Sequence, residues 1–267
     1  MTAYLLLGLI QGVAEFLPIS SSGHLVLAER LLGLSPPGLV CEAALHLGTL
    51  AAVLVVFRRD LLDLLGAFGP RGSIDRRKEI GFLVVGTVPV VVLGLALRGT
   101  AAAWFRLPWV VGAGWLATAA MLVAADRVAR RARAAAPSAA GALCIGAAQA
   151  VALVPGVSRS GFSIGAGMLV GLRPERAARF SFLLSIPAVA GAAGLSLWDG
   201  LQAGAAESGD LGGILAGAAV AFAVGIAALR GLLALVARKR LWLFAAYCAA
   251  LGATFLTLAA LGAFRVG

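Results

Sequence analysis

The sequence predicts an all-α polytopic membrane protein with an inverted-topology repeat, each half a re-entrant helix–loop–helix hairpin plus three transmembrane helices. Three observations carry this expectation. The chain has 267 residues, of which 61 % are hydrophobic and 13 % charged, an apolar share well above that of a soluble domain. Apolar runs of membrane-spanning length recur from end to end. A stretch near the start, residues 5–34, aligns without a gap with residues 143–172, an offset of 138, so the chain is internally duplicated.

The elements follow in order. Ala3–Leu17 is helix-like but short for a span, and Pro18 ends it; Gly23–Leu34 is a second short helix. Two half-length helices around a polar loop read as a re-entrant hairpin, because irregular backbone at membrane depth must be sheltered by protein. Spans are expected at about Leu39–Phe57, Ile80–Leu97 and Leu107–Ala125. The basic stretch from Arg58 to Glu79 contains Gly69-Pro70-Arg71-Gly72 and an amphipathic helix near Leu61–Phe68. The second hairpin is Ala139–Leu172, broken at Pro155-Gly156, and the last spans are about Ala177–Trp198, Leu211–Leu229 and Leu241–Phe264. This gives one membrane domain over 1–267, with repeat 1 at about 3–125 and repeat 2 at about 139–264. The N-terminal run lacks a basic leader segment and is broken early by Gln11 and Glu15, so it reads as part of the mature fold. Trp104, Trp109, Trp198 and Trp242 fall near span ends, where an aromatic belt is expected.

Charge supports the inversion. Three spans per half is an odd number, so the second copy must enter the membrane upside down, as in many transporter folds. On that layout seventeen Lys and Arg fall on one side, among them Arg71, Arg76, Arg77, Lys78, Arg130, Arg173, Arg179 and Lys239. Four (Arg30, Arg98, Arg106 and Arg265) fall on the other, together with the loop carrying Asp199, Glu207 and Asp210. The basic side is then cytoplasmic, and both termini lie outside. The net charge of +10 is accounted for by these loops, which argues against nucleic acid as a partner. Cys41, Cys144 and Cys248 all lie in apolar segments without disulfide or zinc spacing and are expected as buried small hydrophobes.

The chemistry concentrates in QGVAEFLPISSSGH, Gln11 to His24, and its repeat partner QAVALVPGVSRSGF, Gln149 to Phe162. Shared positions are Gln11/Gln149, Ser20/Ser158, Ser22/Ser160 and Gly23/Gly161; the copies part at Glu15/Leu153, Ser21/Arg159 and His24/Phe162. The scaffold is duplicated and the reactive positions are not. Each loop ends at a helix start, where unpaired N–H groups favour an anion. Glu15 at lipid depth costs roughly 2.5–3.5 kcal/mol on insertion scales, and Arg159 costs a similar amount, so both are expected to be functional or paired with each other. Ser20 and Ser22 read as helix caps, since Ser158 and Ser160 repeat them. Ser21 is copy-specific and is the candidate nucleophile, with Glu15 and His24 as available bases. Arg159 is suited to bind phosphate bidentately. Gln11 reads as a hydrogen-bonding residue within its hairpin, and Glu42 and His46, four apart on one helical face, as structural or interfacial.

These two motifs resemble the bacterial undecaprenyl-pyrophosphate phosphatases that confer bacitracin resistance, and the similarity runs over nearly the whole chain. Where that family carries Glu or Gln, three residues, then Glu, this sequence has Gln11 and Glu15; where it carries Pro-Gly-x-Ser-Arg-Ser-x-x-Thr, this sequence runs from Pro155 to Ser163, with Ser163 at the Thr position. The resemblance implies hydrolysis of undecaprenyl pyrophosphate to the monophosphate lipid carrier at a site on the outer face of the bacterial inner (plasma) membrane. It implies Ser21 as nucleophile, Arg159 as phosphate clamp, and Glu15 and His24 as proton-handling groups. Substrate-binding positions would be Gln11, Ser20, Ser22, Gly23, Gly156, Ser158, Ser160 and Ser163. A divalent cation, Mg or Ca, would bind mainly through Glu15 and the substrate oxygens. The implied partner is a polyprenyl diphosphate lipid in the membrane, and the architecture is compatible with a homodimer. A transporter or flippase of polyprenyl phosphate lipids is the rival class, because inverted repeats with loops at the midplane are its usual architecture.

Overall fold

Residues 1–32, 38–69, 72–129, 131–203 and 210–263 are described by a computed structural model. Arg71, Arg130, Glu207, Arg265, Phe264 and the repeat positions Gly33 and Leu34 lie outside them. The described chain is helical, and among the described residues the extended pairing is limited to an isolated bridge between Ala134 and Leu172.

Six helices are long and apolar enough to cross a membrane: α3 (Leu39–Val56), α5 (Ile74–Ala96), α7 (Pro108–Val128), α10 (Pro174–Gln202), α11 (Leu211–Ala237) and α12 (Trp242–Ala260). The protein is a multi-pass, all-helical membrane protein. Four short helices form two pairs: α1 (Thr2–Ala14) with α2 (Ser21–Leu32), and α8 (Ala139–Val151) with α9 (Arg159–Leu169). At 13 residues α1 and α8 are roughly 20 Å long, short of a hydrocarbon core of about 30 Å. Between α3 and α5 lie the amphipathic α4 (Arg58–Leu65) and a 3-10 turn at Gly66–Phe68; a single turn, α6 (Ala101–Trp104), precedes α7.

Several helix boundaries differ from the sequence expectation. Helix α1 stops at Ala14 rather than Leu17, because residues 15–19 turn ahead of Pro18 and Ser20 adopts a left-handed conformation at φ +70°. Helix α2 therefore begins at Ser21 rather than Gly23, with Ser20 Oγ accepting from Gly23 N at 3.2 Å. Helices α5 and α10 outrun their apolar cores, while α11 continues past Leu229 through the apolar residues 231–237, of which Leu232 and Val236 are buried. Ser73 caps α5 by accepting from Arg76 N, so Arg76, Arg77 and Lys78 lie in its opening turns. Charged residues prolong α5 and α10 beyond their apolar runs, where they are good helix formers. Cys41 and Cys248 are buried but Cys144 is exposed, on the outer side of α8, which corrects the expectation for that cysteine. Trp109, Trp198 and Trp242 are exposed at span ends.

Each hairpin packs on a helix of the other half: α1 lies along α11, and α8 lies along α5. Glycine allows both approaches. A Cβ at Gly8 would stand 2.2 Å from the Gly217 carbonyl oxygen, and one at Gly146 would stand 1.9 Å from that of Gly86. Small residues let apolar helices approach closely where no hydrophobic effect drives them together. Helices α7 and α12 pair in the same way through Gly112 and Gly252. On the basic side, Arg179 of α10 pairs with Asp60 of α4 and Glu79 of α5, joining elements of both halves. Val84, Val88, Val91 and Val92 of α5 turn outward, the arrangement suited to a lipid solvent.

Gly146→Leu should lower the thermal midpoint of the purified protein, with a cost of about 1–3 kcal/mol or more from overpacking. Gly191→Ala, whose added Cβ meets nothing within 4 Å, should leave the midpoint within about 0.5 kcal/mol of the parent. Thermal denaturation in detergent, followed by size-exclusion elution, checks both.

Candidate active site

The two polar loops meet. Glu15, at the C-cap of α1, accepts from three groups. Arg159 Nη2 donates to Oε1 at 2.7 Å. Ser21 Oγ donates to Oε2 at 2.7 Å, and Gln11 Nε2 to the same oxygen at 3.1 Å. Glu15 sits on α1, Ser21 opens α2 and Arg159 opens α9, so one carboxylate ties the tips of both hairpins. Its side chain is 8 % exposed and that of Arg159 16 %. Removing one partner of such a pair costs about 3–5 kcal/mol, because the other charge is left buried alone.

Arg159 has donors to spare. Its Nε and Nη1 are buried without a hydrogen-bond partner among the described residues, an arrangement that leaves N–H groups for an anion. Its guanidinium carbon lies 5.7 Å from the centre of the Phe182 ring. Phe182 packs in turn on Phe16 and Phe57. These three rings form an aromatic cluster against the guanidinium.

The duplicated serines keep duplicated roles. Ser20 Oγ and Ser22 Oγ are 3.2 Å apart, as are Ser158 Oγ and Ser160 Oγ. Ser158 caps α9 by accepting from Gly161 N at 3.1 Å, matching Ser20 on Gly23. Ser163 Oγ lies 2.7 Å from the Arg159 carbonyl oxygen and 2.5 Å from Ser181 Oγ, so it braces the arginine's own turn rather than facing Glu15. Gly156 is a turn residue at φ +86°, pressed on Val111. Gly23 leaves room for Trp115, whose ring would be 2.7 Å from an added Cβ.

His24 stands apart from Glu15 and Ser21. Its Nδ1 is 2.7 Å from the Ser20 carbonyl oxygen and its Nε2 is 2.7 Å from Tyr247 Oη, while its ring stacks on Tyr247 and meets the face of Trp115 edge-on. Both ring nitrogens are occupied. Gln149, the repeat partner of Gln11, is buried with both amide atoms unpartnered among the described residues; Leu153 stands where Glu15 would receive it. His46 Nδ1 pairs with the Glu42 carbonyl oxygen at 2.9 Å, a bond within α3. Among the described residues there is no cluster of three or more His, Cys, Asp or Glu.

Helix α7 holds both tips, which the motif reading missed. Trp115 Nε1 donates to the Ile19 carbonyl of the first loop at 2.8 Å. Thr118 Oγ1 accepts from Ser158 N of the second loop at 2.9 Å and lies 3.4 Å from the Gly156 carbonyl oxygen. Gly114, just before Trp115, lets the Pro155-Gly156 backbone approach. A threonine in an apolar span was the available signal for Thr118, as were the serines at 181 and 185. Trp115 lies in the middle of its span, and nothing marked it off from the belt tryptophans except that position.

The arrangement brings a hydroxyl, a carboxylate placed to take its proton and a guanidinium with unpaired donors to one point at two helix N-termini. Known proteins carry closely related sequences. The undecaprenyl-diphosphatase of Desulfosudis oleivorans is 44 % identical over 260 residues, covering 92 % of this chain and 94 % of that protein. The undecaprenyl-diphosphatase of Rubrobacter xylanophilus is 44 % identical over 258 residues, covering 93 % and 94 %, and that of Korarchaeum cryptofilum is 42 % identical over 268 residues, covering 95 % and 97 %. Residues 4–254 match the family described as bacitracin resistance protein BacA, and the chain belongs to that family.

Proposed function

We propose that this protein hydrolyses undecaprenyl diphosphate to undecaprenyl phosphate and inorganic phosphate, returning the lipid carrier of cell-wall synthesis to use. The observation that carries the reading is the Ser21–Glu15–Arg159 chain of contacts at the joined loop tips. A transporter of lipid phosphates needs an anion clamp but has no use for a serine hydroxyl aimed at a carboxylate. Membership of the family and the names of the relatives support the same substrate.

In the proposed reaction the terminal phosphate enters between the helix starts and takes up the free Nε and Nη1 donors of Arg159. Ser21 Oγ attacks the terminal phosphorus in line as Glu15 Oε2 accepts its proton. The bond from phosphorus to the bridging oxygen breaks, and undecaprenyl phosphate leaves with that oxygen. Water then cleaves the Ser21 phosphoester, releasing phosphate and restoring the serine. Charge stabilisation and positioning supply most of the rate in phosphoryl transfer. Glu15 is favoured as the base over His24, because its oxygen already receives the Ser21 proton while both His24 nitrogens are engaged elsewhere. His24 is then a positioning residue that fixes the left-handed turn at Ser20.

The donors present fit a divalent cation, Mg or Ca. Gln11 Oε1 is a buried acceptor without a partner among the described residues, beside the Glu15 carboxylate, and magnesium is commonly held by one or two protein oxygens plus substrate phosphate. Such a cation would neutralise charge on the diphosphate. The excess of Lys and Arg in the loops on the Arg179 side supports a cytoplasmic placement for that side, with the two halves inverted, the reactive tips open to the outer face and the chain in the bacterial inner membrane.

Phosphate release from a polyprenyl diphosphate by purified protein tests the reading. Ser21→Ala should lower kcat by at least about 10³-fold, and Arg159→Ala by roughly 10³-fold or more, whereas Ser163→Ala should cost less than either. Activity retained in Ser21→Ala would end the nucleophile assignment. Tyr247→Phe tests the base: loss of this one orienting hydrogen bond to His24 should cost on the order of tenfold, while Glu15→Gln should approach the Ser21→Ala value. A chelator should abolish turnover, with Mg or Ca restoring it, and Gln11→Glu should lower the cation concentration for half-restoration by about tenfold, as an added carboxylate strengthens the site.

A further inference from the structure

Far from the joined tips, at the opposite end of α9, a cleft of about 390 Å3 opens between the ends of α7, α10 and α11. The 11 residues of α9 separate it from Arg159 by roughly 16 Å. Arg133, Arg173, Arg176 and Lys239 line it, with Glu175 as the carboxylate among its described lining residues. Arg173, Arg176 and Lys239 have no carboxylate partner among the described residues.

The cations are held there by backbone, not gathered by chance rotamers. Arg133 N and Ala134 N both donate to the Gly171 carbonyl oxygen, at 3.0 and 2.9 Å, and Arg173 N donates back to Ala134 O at 3.0 Å. That staple fixes Arg133 and Arg173 side by side. Lys239 sits in a left-handed turn at φ +55°, bonded to Val236 O at 2.9 Å. Helix α10 starts in the cleft with Pro174 at its first turn and without a side-chain cap, so the N–H groups of Glu175 and Arg176 add to the positive field. Four cations against the single carboxylate of Glu175 among the described lining residues give the cleft a positive field that suits an anion. Trp242, exposed three residues beyond Lys239, sets the depth, since tryptophan at a span end lies at headgroup level.

We propose that this cleft is a second phosphate-binding site, separate from the candidate active site, that takes the phosphate of an anionic membrane lipid or free inorganic phosphate. The depth given by Trp242 favours the lipid. A headgroup phosphate there would tie the loop after α7 to the starts of α10 and α12, and the protein would be more stable in an anionic bilayer.

The test uses full-length protein in nanodiscs; phosphate at the joined tips contributes equally to parent and variant and cancels in their difference. Thermal midpoints are measured in phosphatidylcholine, in phosphatidylcholine with phosphatidylglycerol, and in phosphatidylcholine with inorganic phosphate. A rise of about 2–4 °C is expected, and Arg173→Gln/Lys239→Gln should lose at least half of it. A rise with phosphatidylglycerol alone identifies the lipid; a saturable rise with inorganic phosphate identifies the free anion. No rise in either, or a rise kept in full by the double variant, overturns the proposal. Should the double variant fail to fold, Arg176→Gln gives the same readout.

Discussion

The ion pair between Glu15 and Arg159 is the constraint on which the rest depends. In a chain that is mostly apolar, either charge alone at lipid depth is a large cost, and each is carried by a different hairpin 144 residues apart in sequence. The pair is met only when both hairpins are docked. The glycine contacts that let α1 lie against α11 and α8 against α5 bring the loops within reach, and helix α7 sets their final positions through Trp115 and Thr118. Glu15 gains more than a counter-ion: its second oxygen receives the Ser21 hydroxyl, so the interaction that stabilises the fold also prepares the proposed nucleophile.

Duplication and chemistry divide the loops between them. The serine caps are the same in both copies, down to the pairing of each cap with the hydroxyl two residues on. Those bonds build the helix starts, and with them two partial positive charges. Reactivity comes from the places where the copies disagree. Ser21 and Arg159 occupy the same repeat position and meet on opposite oxygens of one carboxylate. Support is unequal too, since α7 of the first half braces both loops while α12, its counterpart in order, reaches the first loop through Tyr247 and Cys248.

Much of this was legible in the sequence, and for physical reasons. Hydrophobic length gives six spans, because a bilayer leaves the backbone few choices. The gapless repeat exposes the hairpins, and the residues that break it (Glu15, Ser21, Arg159) are the ones the fold brings together. Single residues that act through tertiary contact were not legible. Thr118 and Trp115 bear no local mark of the loops they hold, and the engagement of His24 by Tyr247 joins residues 223 positions apart. Helix ends were also misread: the left-handed Ser20 moves the start of α2 back to Ser21, charged flanks lengthen α5 and α10 beyond their apolar cores, and α11 runs on through apolar residues that pack in the core. Cys144 looked buried because an apolar environment and a protein interior read alike in composition.

The exchange of beds between the hairpins sets a timetable for synthesis. The first hairpin leaves the ribosome well before α11, the surface it rests on. Glu15 must therefore wait for the guanidinium that neutralises it, made 144 residues later, and α1 stays undocked until α11 has followed. Neither half could mature as a free fragment, because each one carries the cradle for its sibling's loop and not for its own.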